Sequence, residues 1–192
     1  MEAFLVATGV VALAEIGDKT QLLALVLAAK YRKPVPIILG ILVATLVNHA
    51  LAGVAGAWIS AGVGPDLMRW ILGLSFIAMA AWTLIPDKYD DDSDAAAAAP
   101  KFGVFGATLV AFFLLEIGDK TQIATVVLAA RYESLVGVIM GTTLGMMLAN
   151  VPAVLLGEVA AKKLPMHIVH RIAAAIFLAL GVTVLLGYGQ FG

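Results

Sequence analysis

The heptapeptide Glu15-Ile16-Gly17-Asp18-Lys19-Thr20-Gln21 lies inside an apolar stretch, and the same seven residues recur unchanged from Glu116 to Gln122. Carboxylate, carboxamide and hydroxyl oxygens are hard donors, suited to magnesium, calcium or manganese rather than to thiolate-loving metals. On a continuous helix, at about 100° per residue, Glu15 and Asp18 lie about 60° apart the short way round. They therefore share one face, one turn apart, and Glu116 and Asp119 repeat the arrangement. Glu15, Asp18, Glu116 and Asp119 are the predicted metal ligands. Gln21 and Gln122 stand at the same angle from their aspartates and are predicted to join them. Thr20 and Thr121 point further away, where a backbone carbonyl is the expected partner. Gly17 and Gly118 weaken the helix, let an ion or a second backbone approach closely, and are expected flex points.

Such residues need elements to carry them, and composition says which. The chain has 192 residues, 62% hydrophobic and only 13% charged, with a net charge of −1; its mean hydropathy is +1.02. Ordinary soluble domains carry about 25% charged residues, so the chain is read as an all-α integral membrane protein. The near-neutral charge offers nothing to a nucleic acid. With no cysteine, a disulfide framework and a thiolate metal site are excluded. His49, His167 and His170 are too scattered for a zinc cluster. The Met-Glu start lacks a basic n-region, so the first apolar segment is expected to remain as a span.

A helical span needs about 20 apolar residues. Six candidates appear, roughly at 3–29, 35–60, 67–86, 102–130, 134–160 and 168–188. Between the third and fourth lies DKYDDDSDAAAAAPK, residues 87–101, expected to be a solvated linker; it lacks the glycine and terminal glutamate of an EF-hand loop. A shift of 101 positions superposes the two heptapeptides, and also Val26–Ala29 on Val127–Ala130, Tyr31 on Tyr132, Gly40 on Gly141, Gly56 on Gly157 and Phe76 on Phe177. The chain therefore reads as two three-helix repeats, 1–86 and 102–192. Three is odd, so the copies enter the membrane from opposite sides. Inverted repeats of this kind place transport sites near the midplane at their interface.

Basic residues set the orientation. Lys30, Arg32, Lys33, Lys88, Lys101, Lys162, Lys163 and Arg171 outnumber Arg69 and Arg131 on the other side. The first group is assigned to the cytoplasm with the 87–101 linker, which leaves both termini outside.

A carboxylate or ammonium at bilayer depth costs at least about 2.5–3.5 kcal/mol on insertion scales. Two copies of two acids and a lysine need a compensating reason. The inverted repeat is expected to bring all four carboxylates together at mid-membrane, where they must bind cations, share protons, or both. With Lys19 and Lys120 as counter-ions each motif carries −1, and two motifs carry −2, which matches one divalent cation. Metal and proton compete for the same oxygens, so an exchanger follows naturally. Ion pairing for helix packing alone would suit one copy, but buried pairs are weak stabilisers and explain two identical copies poorly. Asn48, His49 and Asn150 lie midway along spans; interhelical hydrogen bonding is their ordinary role, and ligation or proton relay the sharper one. Met146 and Met147 read as packing, Glu158 as interfacial, and His167, His170 and Arg171 as headgroup residues.

Paired E-φ-G-D-K-[TS] motifs, one per three-helix half, resemble the cation/proton exchanger family that includes the eukaryotic Golgi calcium/manganese transporters and bacterial manganese exporters. Both copies fit fully, Glu15–Thr20 and Glu116–Thr121. The resemblance implies divalent-cation transport coupled to protons, with Glu15, Asp18, Glu116 and Asp119 binding the cation. The expected protein is thus a multi-pass inner-membrane transporter that exports Mn²⁺, or Ca²⁺, in exchange for H⁺. A homo-oligomer is compatible with this reading. No nucleophile–base pair or cofactor motif suggests an enzyme or a resident cofactor. A passive cation channel, an exporter of an organic cation such as a basic amino acid, and a non-transporting scaffold are the competing functions.

Overall fold

The computed structural model describes residues 1–85, 103–156 and 166–187. The acidic linker 87–101, Glu158, Lys162 and Lys163 lie outside them. The described residues form eight helices: α1 (Glu2–Glu15), α2 (Lys19–Tyr31), α3 (Pro34–Gly62), α4 (Pro65–Thr83), α5 (Gly103–Glu116), α6 (Lys120–Arg131), α7 (Leu135–Leu156) and α8 (Met166–Leu185).

The expectation of six helices is corrected here. Two predicted spans are each a pair of short helices, α1 with α2 and α5 with α6, and the division falls inside the heptapeptides. With 14 and 13 residues, α1 and α2 rise about 21 and 20 Å, short of a hydrocarbon core of about 30 Å. Pro34–Gly62, Leu135–Leu156 and His167–Leu185 are each long and apolar enough to cross a membrane by length and composition. Pro34 and Pro65 start α3 and α4, where a missing N–H costs nothing.

Packing exchanges elements between the two halves of the chain. α1 lies along α7 in the same direction: a Cβ at Gly141 would meet the Phe4 carbonyl, and one at Gly145 would meet the Thr8 carbonyl and Val11. The counterpart is α5 along α3, where Gly40 approaches the Phe105 carbonyl and Thr108. Phe4 and Phe105 are equivalent under the 101-residue shift, as are Gly40 and Gly141. α4 and α8 run in opposite directions, with Gly73 near Gly181 and Leu185, and Gly181 near Gly73 and Ile77. The repeat-related Phe76 and Phe177 meet there, with ring centroids 6.3 Å apart.

Two apolar clusters result. One joins Ala7, Val10 and Ala14 of α1 to Leu128 of α6 and to the α4–α8 pair. The other joins Leu23 and Leu27 of α2 to Phe112 of α5 and Ile41 of α3. Each cluster therefore takes the first short helix of one half and the second short helix of the other. The two helix breaks fall between the clusters, so the polar residues of both heptapeptides meet where the apolar packing is interrupted.

Candidate metal centre

The two breaks are built alike. Gly17 has φ +86° and Gly118 +75°, in the left-handed region that glycine enters without a Cβ penalty. Asp18 and Asp119 are extended, with ψ 166° and 163°, and cap α2 and α6. Asp18 accepts from the Thr20 N–H at 3.3 Å, and Asp119 accepts from the Thr121 hydroxyl, also at 3.3 Å. The aspartate N–H groups donate to the Glu15 and Glu116 carbonyls, both at 3.0 Å. The glutamines reach back: Gln21 Oε1 accepts from the Gly17 N–H at 2.9 Å, and Gln122 Oε1 from the Gly118 N–H at 2.8 Å. A helix end inside a membrane leaves orphan backbone groups that must be satisfied within the protein, and these side chains do so. Glu15 and Asp18 are therefore not on one face of a continuous helix as expected. Glycine ends the first helix, and the aspartate–glutamine cap starts the second.

Convergence survives in a different geometry. Glu15, Asp18 and Asp119 each present an oxygen, all within 4.8 Å of one another, and all three residues are buried. The acids come from both heptapeptides. Glu116 is also buried but is held against α3, where Thr45 Oγ1 donates to Oε1 at 2.8 Å and Asn48 Nδ2 to Oε2 at 3.1 Å. Glu15 Oε2 accepts from Thr20 Oγ1 at 2.5 Å, while its Oε1 has no hydrogen-bond partner. The 101-residue shift carries Thr45 to Met146 and Asn48 to Ala149. Neither offers a side-chain donor, so the two glutamates are held unequally.

The lysines cross over. Lys19 Nζ lies 2.9 Å from Asp119 Oδ1, and Lys120 Nζ lies 3.1 Å from Asp18 Oδ1. Each heptapeptide thus neutralises the aspartate of the other. Gln21 Nε2 donates to the Ala149 carbonyl at 2.9 Å, tying α2 to α7. Thr45 did not figure in the sequence reading, although Thr45, Asn48 and His49 form an i, i+3, i+4 polar face that identifies it. Asn150 donates to the Met146 carbonyl and sulfur. His170, assigned to the headgroups, instead places Nε2 3.1 Å from the Ile16 carbonyl at the first break.

Two halves, each with one such break and each contributing acids to one buried cluster, mirror a match made in the same two parts. A model of the family described as "Divalent cation/proton antiporter GDT1" matches residues 3–91 and 104–190. The chain belongs to this family. A relative in Vibrio cholerae serotype O1 named "Putative manganese exporter" is 50% identical over 183 residues, 95% of this chain and 90% of that protein. A "GDT1-like protein 3" of Oryza sativa subsp. indica is 24% identical over 205 residues, 95% of this chain and 73% of that protein. No solved structure matches. As a member of the antiporter family the protein is a membrane cation transporter and not an enzyme.

Proposed function

We propose that this chain exports a divalent cation, Mn²⁺ in preference to Ca²⁺, from the cytoplasm across the inner membrane in exchange for H⁺. One observation carries the reading: buried carboxylate oxygens of Glu15, Asp18 and Asp119, drawn from both heptapeptides, lie within 4.8 Å of one another. Oxygens so arranged suit a hard or borderline divalent ion. The exporter name carried by the Vibrio relative favours manganese.

In this reading the ion displaces the two lysine ammoniums from the aspartates. Glu116 swings from Thr45 and Asn48 to complete the acidic set, and Gln21 and Gln122 flank it with amide oxygens. Protons return to the same oxygens when the metal leaves, because the two ligands compete. The opposed directions of α4 and α8, and the exchanged α1–α7 and α5–α3 contacts, support two inverted repeats, 1–86 and 102–192, rocking about the site. Both termini then lie outside and the 87–101 linker in the cytoplasm.

The test is Mn²⁺ uptake into inside-out vesicles with and without an imposed pH gradient. Gradient-driven accumulation is expected, with its loss in Glu15→Gln and Asp119→Asn at unchanged expression and unfolding temperature. Flux that ignores the gradient would replace the exchanger with a channel. Wild-type flux in both variants would remove the site.

A further inference from the structure

His49 lies midway along α3, and the residue is 1% exposed. Neither ring nitrogen has a hydrogen-bond partner. A buried polar group left unpaired costs free energy that an apolar residue of similar size would avoid. Its direction follows from its neighbours on the helix. At about 100° per residue, His49 stands about 40° from Thr45 and about 20° from Gly56. Thr45 binds Glu116, and a Cβ at Gly56 would meet the Val126 carbonyl and Ala129 of α6. His49 therefore faces the part of α5 and α6 that lies between those contacts. The residue beside it, Asn48, already holds Glu116.

The repeat places Asn150 at the equivalent position of α7. Asn150 is also buried, and its Oδ1 has no hydrogen-bond partner. Each long helix thus holds one buried lone pair without a hydrogen-bond partner at equivalent positions, an imidazole nitrogen in the first half and an amide oxygen in the second.

We propose that His49 is a ligand to the transported ion, and that its nitrogen makes the site selective for first-row transition ions over Ca²⁺ and Mg²⁺. The inference rests on the transport reading above, since it concerns the ion held by the same acids. Carboxylates alone accept Ca²⁺, Mg²⁺ and Mn²⁺ alike. Imidazole is a poor donor for the two alkaline-earth ions and a good one for transition metals. One nitrogen among oxygens therefore raises Mn²⁺ over Ca²⁺, and admits Fe²⁺ and Co²⁺ more readily than Ca²⁺.

Pulsed EPR of the purified protein loaded with Mn²⁺ reads the ligand directly. Modulation from a directly bound imidazole ¹⁴N is expected in the wild type and in His170→Gln, and is expected to vanish in His49→Asn. That variant repeats the residue the second half already uses, and should fold. In transport assays His49→Asn is expected to let Ca²⁺ inhibit Mn²⁺ uptake at a concentration at least about tenfold lower. Bound Mn²⁺ without nitrogen modulation in the wild type overturns the inference and leaves the exchanger standing. An unchanged Ca²⁺ to Mn²⁺ ratio in a transporting variant overturns the selectivity. No bound Mn²⁺ at all removes the exchanger reading and this one with it.

Discussion

Lys120 and Lys19 perform the same pairing in unlike surroundings. The Lys120 side chain is 3% exposed and that of Asp18 1%, whereas the Lys19 side chain is 26% exposed. Removing one partner of a buried pair strands the other charge and costs about 3–5 kcal/mol, while a solvent-screened pair contributes about 0–1 kcal/mol. Both substitutions strand a buried aspartate, Asp119 being 3% exposed, so both are expected to lower the unfolding temperature of the metal-free protein, Lys120→Gln the further because water screens part of the Lys19 pair. Saturating Mn²⁺ should restore much of the loss in Lys120→Gln, because the ion neutralises Asp18 in the lysine's place. Melts of both variants with and without Mn²⁺ check this, and equal losses would contradict it. At this scale the sequence identified the acids but not their partners. Spacing within a heptapeptide says nothing about contacts between the two copies, so the crossed lysines and the holding of Glu116 by Thr45 and Asn48 emerged only from the structure.

Helix boundaries were legible in part. Four of the six expected spans correspond to single helices, because each was a long apolar run bounded by proline, glycine or charge. The other two were read as continuous because apolar length outweighed a local signal. Asp-Lys-Thr-Gln, at 18–21 and again at 119–122, is an N-cap pattern with glutamine at the third helical position, and glycine precedes it both times. A paired substitution isolates the role of that glycine. A Cβ at Gly118 or at Gly9 would meet nothing within 4 Å, so neither alanine is opposed by packing. Gly118 has φ +75°, where a side chain costs about 1–2 kcal/mol. Gly9 lies inside α1, where alanine is favoured by about 1 kcal/mol. Gly118→Ala is expected to destabilise and Gly9→Ala to stabilise, with the same atoms added. Thermal unfolding decides it, and a shift of the same sign in both would mean the turn is not held as described.

Across the whole molecule the two halves match in heptapeptide and in cap geometry but not in cover. His170 of α8 reaches the Ile16 carbonyl at the first break. At the second, Ile117 is 56% exposed and Gly118 is exposed as well. The shift relates His170 to Arg69 of α4, so the covering residue itself differs between the halves. Irregular backbone is tolerated at membrane depth only where protein buries it or water reaches it. The Ile117–Gly118 turn is therefore expected to lie on an aqueous approach, and the Ile16–Gly17 turn on the closed side. A chain without cysteine allows a direct test with single cysteines and a membrane-impermeant maleimide. Ile117→Cys is expected to label several-fold faster than Ile16→Cys in resting protein. If repeats exchange conformations during transport, Mn²⁺ together with a pH gradient should raise the Ile16→Cys rate and lower that of Ile117→Cys. Rates that stay fixed under turnover would mean that the unequal cover is a permanent feature of the fold and that access alternates elsewhere.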